Sequence, residues 1–169
     1  QVEGVVRRIL VDRGDLVRKG QVLALLDSGL ELAAWDVAKF RAETEAALKA
    51  SAVRQEFAKR KADRAAELYR QNFVSSQALD DAASELRLAD AQLAEAGENR
   101  RLAELEHRRV GEILKQRTLL SPATGLIVER GLAPGELITT DSVKPVVKLV
   151  VLNPLYVEVI LPVSRYGSV

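Results

Sequence analysis

The chain has 169 residues, with 25 Lys and Arg against 24 Asp and Glu, one His, and neither Cys nor Met. A net charge of +1 offers no overall field to hold nucleic acid or an anionic membrane surface. The missing Cys removes disulfide and thiolate chemistry, a single His excludes a His-pair metal or catalytic site within one chain, and no apolar run approaches the roughly 20 residues that span a bilayer.

Residues 1–28 read as short strands. Val5 to Val11 is rich in branched residues, and Val22 to Leu26 is a buried-type run closed by Asp27-Ser28-Gly29. Residues 29–117 read as helical. From Leu30 to Gln71 there is neither Pro nor Gly, and apolar residues recur through Trp35, Ala38, Ala42, Ala46, Val53 and Phe57, which predicts one long helix. A break at Gln71-Asn72-Phe73-Val74-Ser75-Ser76 is followed by a heptad stripe of Leu79, Ala82, Leu86, Ala89, Leu93 and Ala96. That stripe then meets Arg100 and His107 at core positions, so a register shift is expected near Gly97 before Val110, Ile113 and Leu114. The short turn makes the two arms antiparallel neighbours, each about 60 Å long at 1.5 Å per residue.

Strand character resumes after Ser121-Pro122, and residues 118–145 repeat features of the first segment. Glu3-Gly4-Val5-Val6 is echoed by Thr124-Gly125-Leu126-Ile127, and Val11-Asp12-Arg13-Gly14 by Val128-Glu129-Arg130-Gly131. Gly20-Gln21-Val22-Leu23 is echoed by Gly135-Glu136-Leu137-Ile138, with glycine spacings that differ by two residues. Gly14, Gly20, Gly125 and Gly135 are assigned to tight turns that demand positive φ. The simplest fold pairs the two halves into one small β sandwich from which the hairpin projects. Residues 146–169, with Val146 to Leu152 and Leu155 to Pro162 as strand-like runs, are expected to open a further β domain that the chain truncates.

At the hairpin turn, Ser75 reads as the N-cap of the second helix, with Val74 and Leu79 as its hydrophobic staple and Asp80 and Asp81 favouring the helix N-terminus. Leu68 can close the helical seam, and Arg64 can be a solvated residue paired with Glu67 or Asp63. The carboxylate pairs Asp12/Asp15 and Asp80/Asp81 suit turn and cap roles rather than acid–base chemistry. His107 belongs on the seam or its flank, and no phosphate-binding glycine fingerprint is present.

Taken together, Gly14 to Leu23 ending in Leu26-Asp27, Leu120-Ser121-Pro122-Ala123-Thr124-Gly125-Leu126-Ile127, Pro134-Gly135-Glu136 and Leu152-Asn153-Pro154-Leu155-Tyr156-Val157-Glu158-Val159 resemble the periplasmic adaptor, or membrane fusion protein, family of tripartite efflux and secretion systems, resistance-nodulation-division or HlyD-like. The resemblance implies an α+β fold: a lipoyl-like β sandwich split by a long antiparallel coiled-coil hairpin, plus the start of a β-barrel domain. It implies a non-enzymatic adaptor in the periplasm, attached to the inner membrane by a segment absent from this chain. Its partners would be an inner-membrane transporter, a TolC-like outer-membrane channel, and further copies in a hexamer. Adaptors that engage such channels carry Arg, three residues, Leu, six residues, Ser at the tip. Arg64, Leu68 and Ser75 have that spacing, which implies a docking site that would include Phe73 and Val74.

No cofactor is expected, because biotinyl and lipoyl domains carry their modified Lys on a turn that the hairpin here replaces. Three other readings stay open: an adaptor of a type I secretion or ABC-exporter system, a carrier domain of an enzyme complex, and a coiled-coil scaffold without an export role.

Overall fold

A computed structural model describes residues 3–139 and 144–151, which form two compact units. One contains the described parts of Gln1–Ser28 and Gln116–Val169, and the other is Gly29–Lys115.

The first unit is made of strands β1 (Gly4–Ile9), β2 (Leu16–Val17), β3 (Val22–Leu26), β4 (Thr118–Leu120), β5 (Gly125–Arg130), β6 (Leu137–Ile138) and β7 (Val147–Val150). They form a four-stranded sheet in the order β4-β3-β1-β6 and a three-stranded sheet in the order β2-β5-β7, with every pairing antiparallel. Each half of the sequence therefore lends a two-residue strand to the other. β6 pairs with β1 through Gly4 with Ile138 and Val5 with Leu137, while β2 pairs with β5 through Val17 with Gly125 and Leu16 with Leu126.

This exchange reveals a repeat with a single offset from β1 through β2 and from β5 through β6. Gly4 with Gly125, Val6 with Ile127, Gly14 with Gly135 and Val17 with Ile138 all lie 121 positions apart. The register irregularity between Val6 and Arg8 in β1 recurs between Ile127 and Glu129 in β5, at the same offset. The motif echo pairs Gly135 with Gly20, whereas the backbone matches it to Gly14. β7 is the counterpart of β3 at an offset of 123, two residues more, since Leu26 pairs with Val6 and Leu149 with Ile127, so Val147–Val150 packs with the second half. The expected start of a further β domain falls largely on residues 152–169, outside the described residues.

Among the described residues one four-residue turn occurs three times, at Asp12–Asp15, Arg18–Gln21 and Ala133–Glu136. In each, the first N–H donates to the side-chain oxygen of the fourth residue, at 2.7, 3.0 and 3.0 Å, and the fourth N–H donates back to the first carbonyl. The third residue is Gly14, Gly20 or Gly135 with φ of 97°, 83° and 90°, the left-handed region that suits glycine. Each turn also clasps a distant buried residue. The glycine N–H reaches the carbonyl of Ile127, Ser121 or Val6, and that residue's N–H returns to the carbonyl of Asp15, Gln21 or Glu136. Gly125 has a different reason from the positive φ expected of it: it is a strand residue, and a Cβ there would sit 2.3 Å from the Val150 carbonyl oxygen. The core forms two clusters, Val11, Val17, Leu23 and Ile127 in one, Val6, Leu26 and Leu132 in the other.

The second unit is α-helical: α1 (Gly29–Glu43), α2 (Ala46–Arg70) and α3 (Ser76–Gln116). The predicted single first helix is interrupted at Thr44-Glu45. The burial stripe runs through Trp35, Ala38, Ala42 and Glu45, then takes a three-residue step to Leu48 and continues through Ser51, Gln55 and Ala58. Val53 and Phe57, expected on the stripe, are exposed as a result. In α3 the heptad stripe is unbroken: Ala96, Arg100, Ala103, His107, Val110 and Leu114 all stay on the buried side. No register shift occurs at Gly97, because the first arm accommodates both polar residues. Glu45 meets Arg100 at 2.9 Å, and the Trp35 ring lies 5.3 Å from His107 at an interplanar angle of 45°. The arms are also joined by Gln55 to Asp90 at 2.9 Å and Lys61 to Glu85 at 2.5 Å. No described helix is long and apolar enough to cross a membrane.

Candidate functional site: the hairpin tip

The turn between α2 and α3 is built by backbone chemistry that the sequence supplies at each step. After Arg70 the chain leaves the helix through Asn72, whose φ of 61° makes it the one described non-glycine residue in the left-handed region. Asn tolerates that conformation better than other side-chain-bearing residues, since its short amide bonds locally. The Phe73 N–H then donates to the Leu68 carbonyl at 2.9 Å, and the Asn72 N–H to the Tyr69 carbonyl at 2.9 Å. This is the paired closure that satisfies the last carbonyls of a helix. It places Phe73 and Leu68 at the two positions where that closure commonly has an apolar contact. Glu67 braces the same turn, accepting from Gln71 Nε2 at 2.8 Å and from Arg70 at 3.3 Å.

Ser75 opens α3. Its Oγ accepts the Ala78 N–H at 3.2 Å, three residues on, which is N-cap geometry. Val74 and Leu79, the residues before the cap and four after it, are both half-buried, as a hydrophobic staple requires. A C-terminal closure and an N-terminal cap are thus separated only by Phe73 and Val74, so the tip is a determined turn rather than a slack loop.

Of the five residues singled out in the sequence, Leu68, Phe73, Val74 and Ser75 come together in this turn. Leu68 is half-buried and Phe73 is 73% exposed. Arg64 stands one turn of α2 further back, exposed, where it lines a shallow 250 Å³ groove with Phe57, Arg60 and Lys61. Arg60 is engaged by Glu56 at 3.5 Å and Lys61 by Glu85, and Glu67 is committed to Arg70 and Gln71. Among the described residues Arg64 has no ion pair, neither with Glu67 nor with Asp63, so its guanidinium is free to face a partner. Sequence reasoning passed over Asn72 and Phe57. Asn just past a helix end, three residues before the capping Ser75, was the signal for the first; Phe57 was assigned to the core, so its place beside Arg64 had no signal.

Electrostatics along the hairpin come from exposed pairs. Lys49, first, and Arg100 hold the Glu45 carboxyl below its ordinary value, and Arg109 does the same for Glu106, while Glu106 raises the Arg109 guanidinium.

A family model described as "CzcB-like, barrel-sandwich hybrid domain" matches residues 1–147. No curated protein sequence matches the chain. Among solved structures, MacA from Actinobacillus actinomycetemcomitans is 26% identical with a TM-score of 0.79, over 89% of this chain and 47% of that one. The membrane fusion protein Spr0693 from Streptococcus pneumoniae R6 is 24% identical with a TM-score of 0.53, over 85% of this chain and 52% of that one. The chain therefore spans about half the length of these proteins.

Proposed function

Because the chain belongs to the CzcB-like barrel-sandwich hybrid family of periplasmic adaptor, or membrane fusion, proteins, we propose that it is an adaptor subunit that joins an inner-membrane transporter to a TolC-like outer-membrane channel for efflux of small molecules. Its place would be the periplasm, attached to the inner membrane, with several copies, a hexamer in the assembled pump, arranged as a ring. The role is mechanical rather than catalytic. A 41-residue helix and its antiparallel partner carry a determined turn at the far end, and a helix of that length reaches about 60 Å.

The observation that most supports docking by the tip is the pairing of a doubly capped turn with groups left unused by the fold. Phe73 is exposed, and Arg64 has no intramolecular acid among the described residues. An exposed aromatic ring and a free guanidinium, held at fixed spacing, are the side chains that interfaces use most. Their positions are fixed before contact, which lowers the ordering cost of binding.

The test is photo-crosslinking in Gram-negative cells, with the probe at Val74 of the full-length protein. A crosslink to an outer-membrane channel is the expected result. A well-expressed protein that crosslinks only to itself would replace the adaptor with a scaffold.

A further inference from the structure

We infer that the hairpin has a waist, a bending point where Thr44-Glu45 in one arm and Gly97 in the other lie at the same level, and that the Glu45–Arg100 ion pair latches it straight. Four separate features meet there. Helical structure stops at Glu43 and restarts at Ala46, and the Glu45 side chain provides no cap bond to the new helix. The Thr44 hydroxyl donates to the Phe40 carbonyl at 2.7 Å and the Ser51 hydroxyl to the Ala47 carbonyl at 2.9 Å, contacts that compete with the helical ladder and bend helices. Opposite them, Gly97 lies inside α3 with nothing within 4 Å of where a Cβ would be. No close packing demands the glycine, and its effect is to weaken the helix there. Between the arms, Phe40, Thr44, Leu48, Ala96, Asn99 and Arg100 border an open cleft of about 580 Å³, so little side-chain packing fills the space between the arms there.

Arg100 spans the gap. It meets Glu45 across the cleft at 2.9 Å and Glu104 on its own helix at 3.2 Å. Glu45 also meets Lys49 at 3.0 Å. One cross-arm ion pair therefore connects the residue just before α2 to the middle of α3. When it opens, the segment from Leu48 to the tip can swing against the segment from Trp35 to Ala42 while each keeps its own helices.

The chain's lack of cysteine permits clean spin labelling. Labels at Asp81→Cys and Arg108→Cys bracket Gly97, and a straight helix sets them about 40 Å apart. Double electron–electron resonance on the full chain should give a narrow distribution. Arg100→Gln should broaden it toward shorter distances, as a shift of population toward bent conformers implies, and Gly97→Ala added to Arg100→Gln should narrow it again. A distribution unchanged by Arg100→Gln overturns the latch.

Should Arg100→Gln lose its helical circular dichroism, hydrogen exchange on the otherwise unaltered chain decides. Amides from Gly97 to Arg101 exchanging faster than those from Leu86 to Asp90, and slowed about fivefold by Gly97→Ala, support the waist; that factor is what the advantage of Ala over Gly in a helix corresponds to. Uniform protection along α3 overturns it.

Discussion

Val6 and Ile127 occupy the same position in two halves of one sheet unit, 121 residues apart, and each is clasped by a turn from the other half. The Val6 N–H donates to the Glu136 carbonyl at 2.8 Å and the Ile127 N–H to the Asp15 carbonyl at 2.9 Å. The Gly135 and Gly14 N–H groups return to the Val6 and Ile127 carbonyls at 2.7 and 2.8 Å. Both side chains are fully buried, at 1% and 0% exposure. Neither half can bury its central residue's backbone without the other, which is why a long helical insertion between them leaves the unit intact.

Gly125→Ala should be among the most damaging small substitutions in this unit. The new methyl group would lie 2.3 Å from the Val150 carbonyl oxygen, against backbone that cannot rotate aside. Overpacking of this kind costs about 1–3 kcal/mol. Thermal unfolding followed by far-UV circular dichroism checks it, and an unchanged melting temperature would show that β7 yields freely from β5.

Ser75→Ala removes an N-cap and should cost about 1 kcal/mol, whereas Ser75→Asp preserves an accepting oxygen at the cap and should cost less than half as much. Urea unfolding of the two variants separates them. If Ser75→Asp is fully stable but blocks export in cells, the hydroxyl serves docking beyond its cap; if it exports normally, capping accounts for Ser75.

Arg64→Asp tests the docking proposal without disturbing the fold, since Arg64 is exposed and makes no ion pair among the described residues. Its effect on stability should stay within about 0.5 kcal/mol, as for surface positions generally. Export by the full-length protein should be lost. Wild-type export from Arg64→Asp would remove the guanidinium from the docking site.

Acid should loosen the hairpin. The Glu45 carboxyl is held below its ordinary 4.5 in the folded chain, first by Lys49 and then by Arg100. A depressed folded value means a contribution that is present above the unfolded value and is lost as the pH falls through the folded one. The melting temperature should therefore decline with acidification below about 4.5. Since Glu45 is exposed, salt should weaken the effect, and Glu45→Gln should flatten the decline. Equal slopes for parent and variant between pH 5 and 3, about two units across the titration, would assign the acid sensitivity elsewhere.

The heptad stripe from Leu79 to Ala96 was legible because seven-residue spacing of Leu and Ala has one structural meaning, and the tip was legible because Ser75 and its neighbours follow cap rules that act over four residues. The first arm was less so. Its apolar stripe of Ala46, Val53 and Phe57 looked continuous, but the break at Thr44-Glu45 turned the helix and left Val53 and Phe57 exposed. Arg100 and His107 read as faults in the seam because their partners, Glu45 and Trp35, lie on the other arm. Likewise Gly125 looked like one more turn glycine, although its constraint is the Val150 backbone.

What the sequence determined by itself is what local physics governs: strands at both ends, two helical arms, a capped turn between them, and an order of motifs that resembles this family's. Each depends on residues a few positions apart, and proximity along the chain makes the outcome nearly independent of the rest. The tertiary structure decided what depends on distant partners. It set the offset between β1 and β5 at 121 residues, placed β7 beside β5, put the discontinuity in the first arm instead of the second, and left Arg64 without an acid among the described residues. These follow from hydrogen bonds and ion pairs closed across the fold, whose energies outweigh local preference only once the two partners have met.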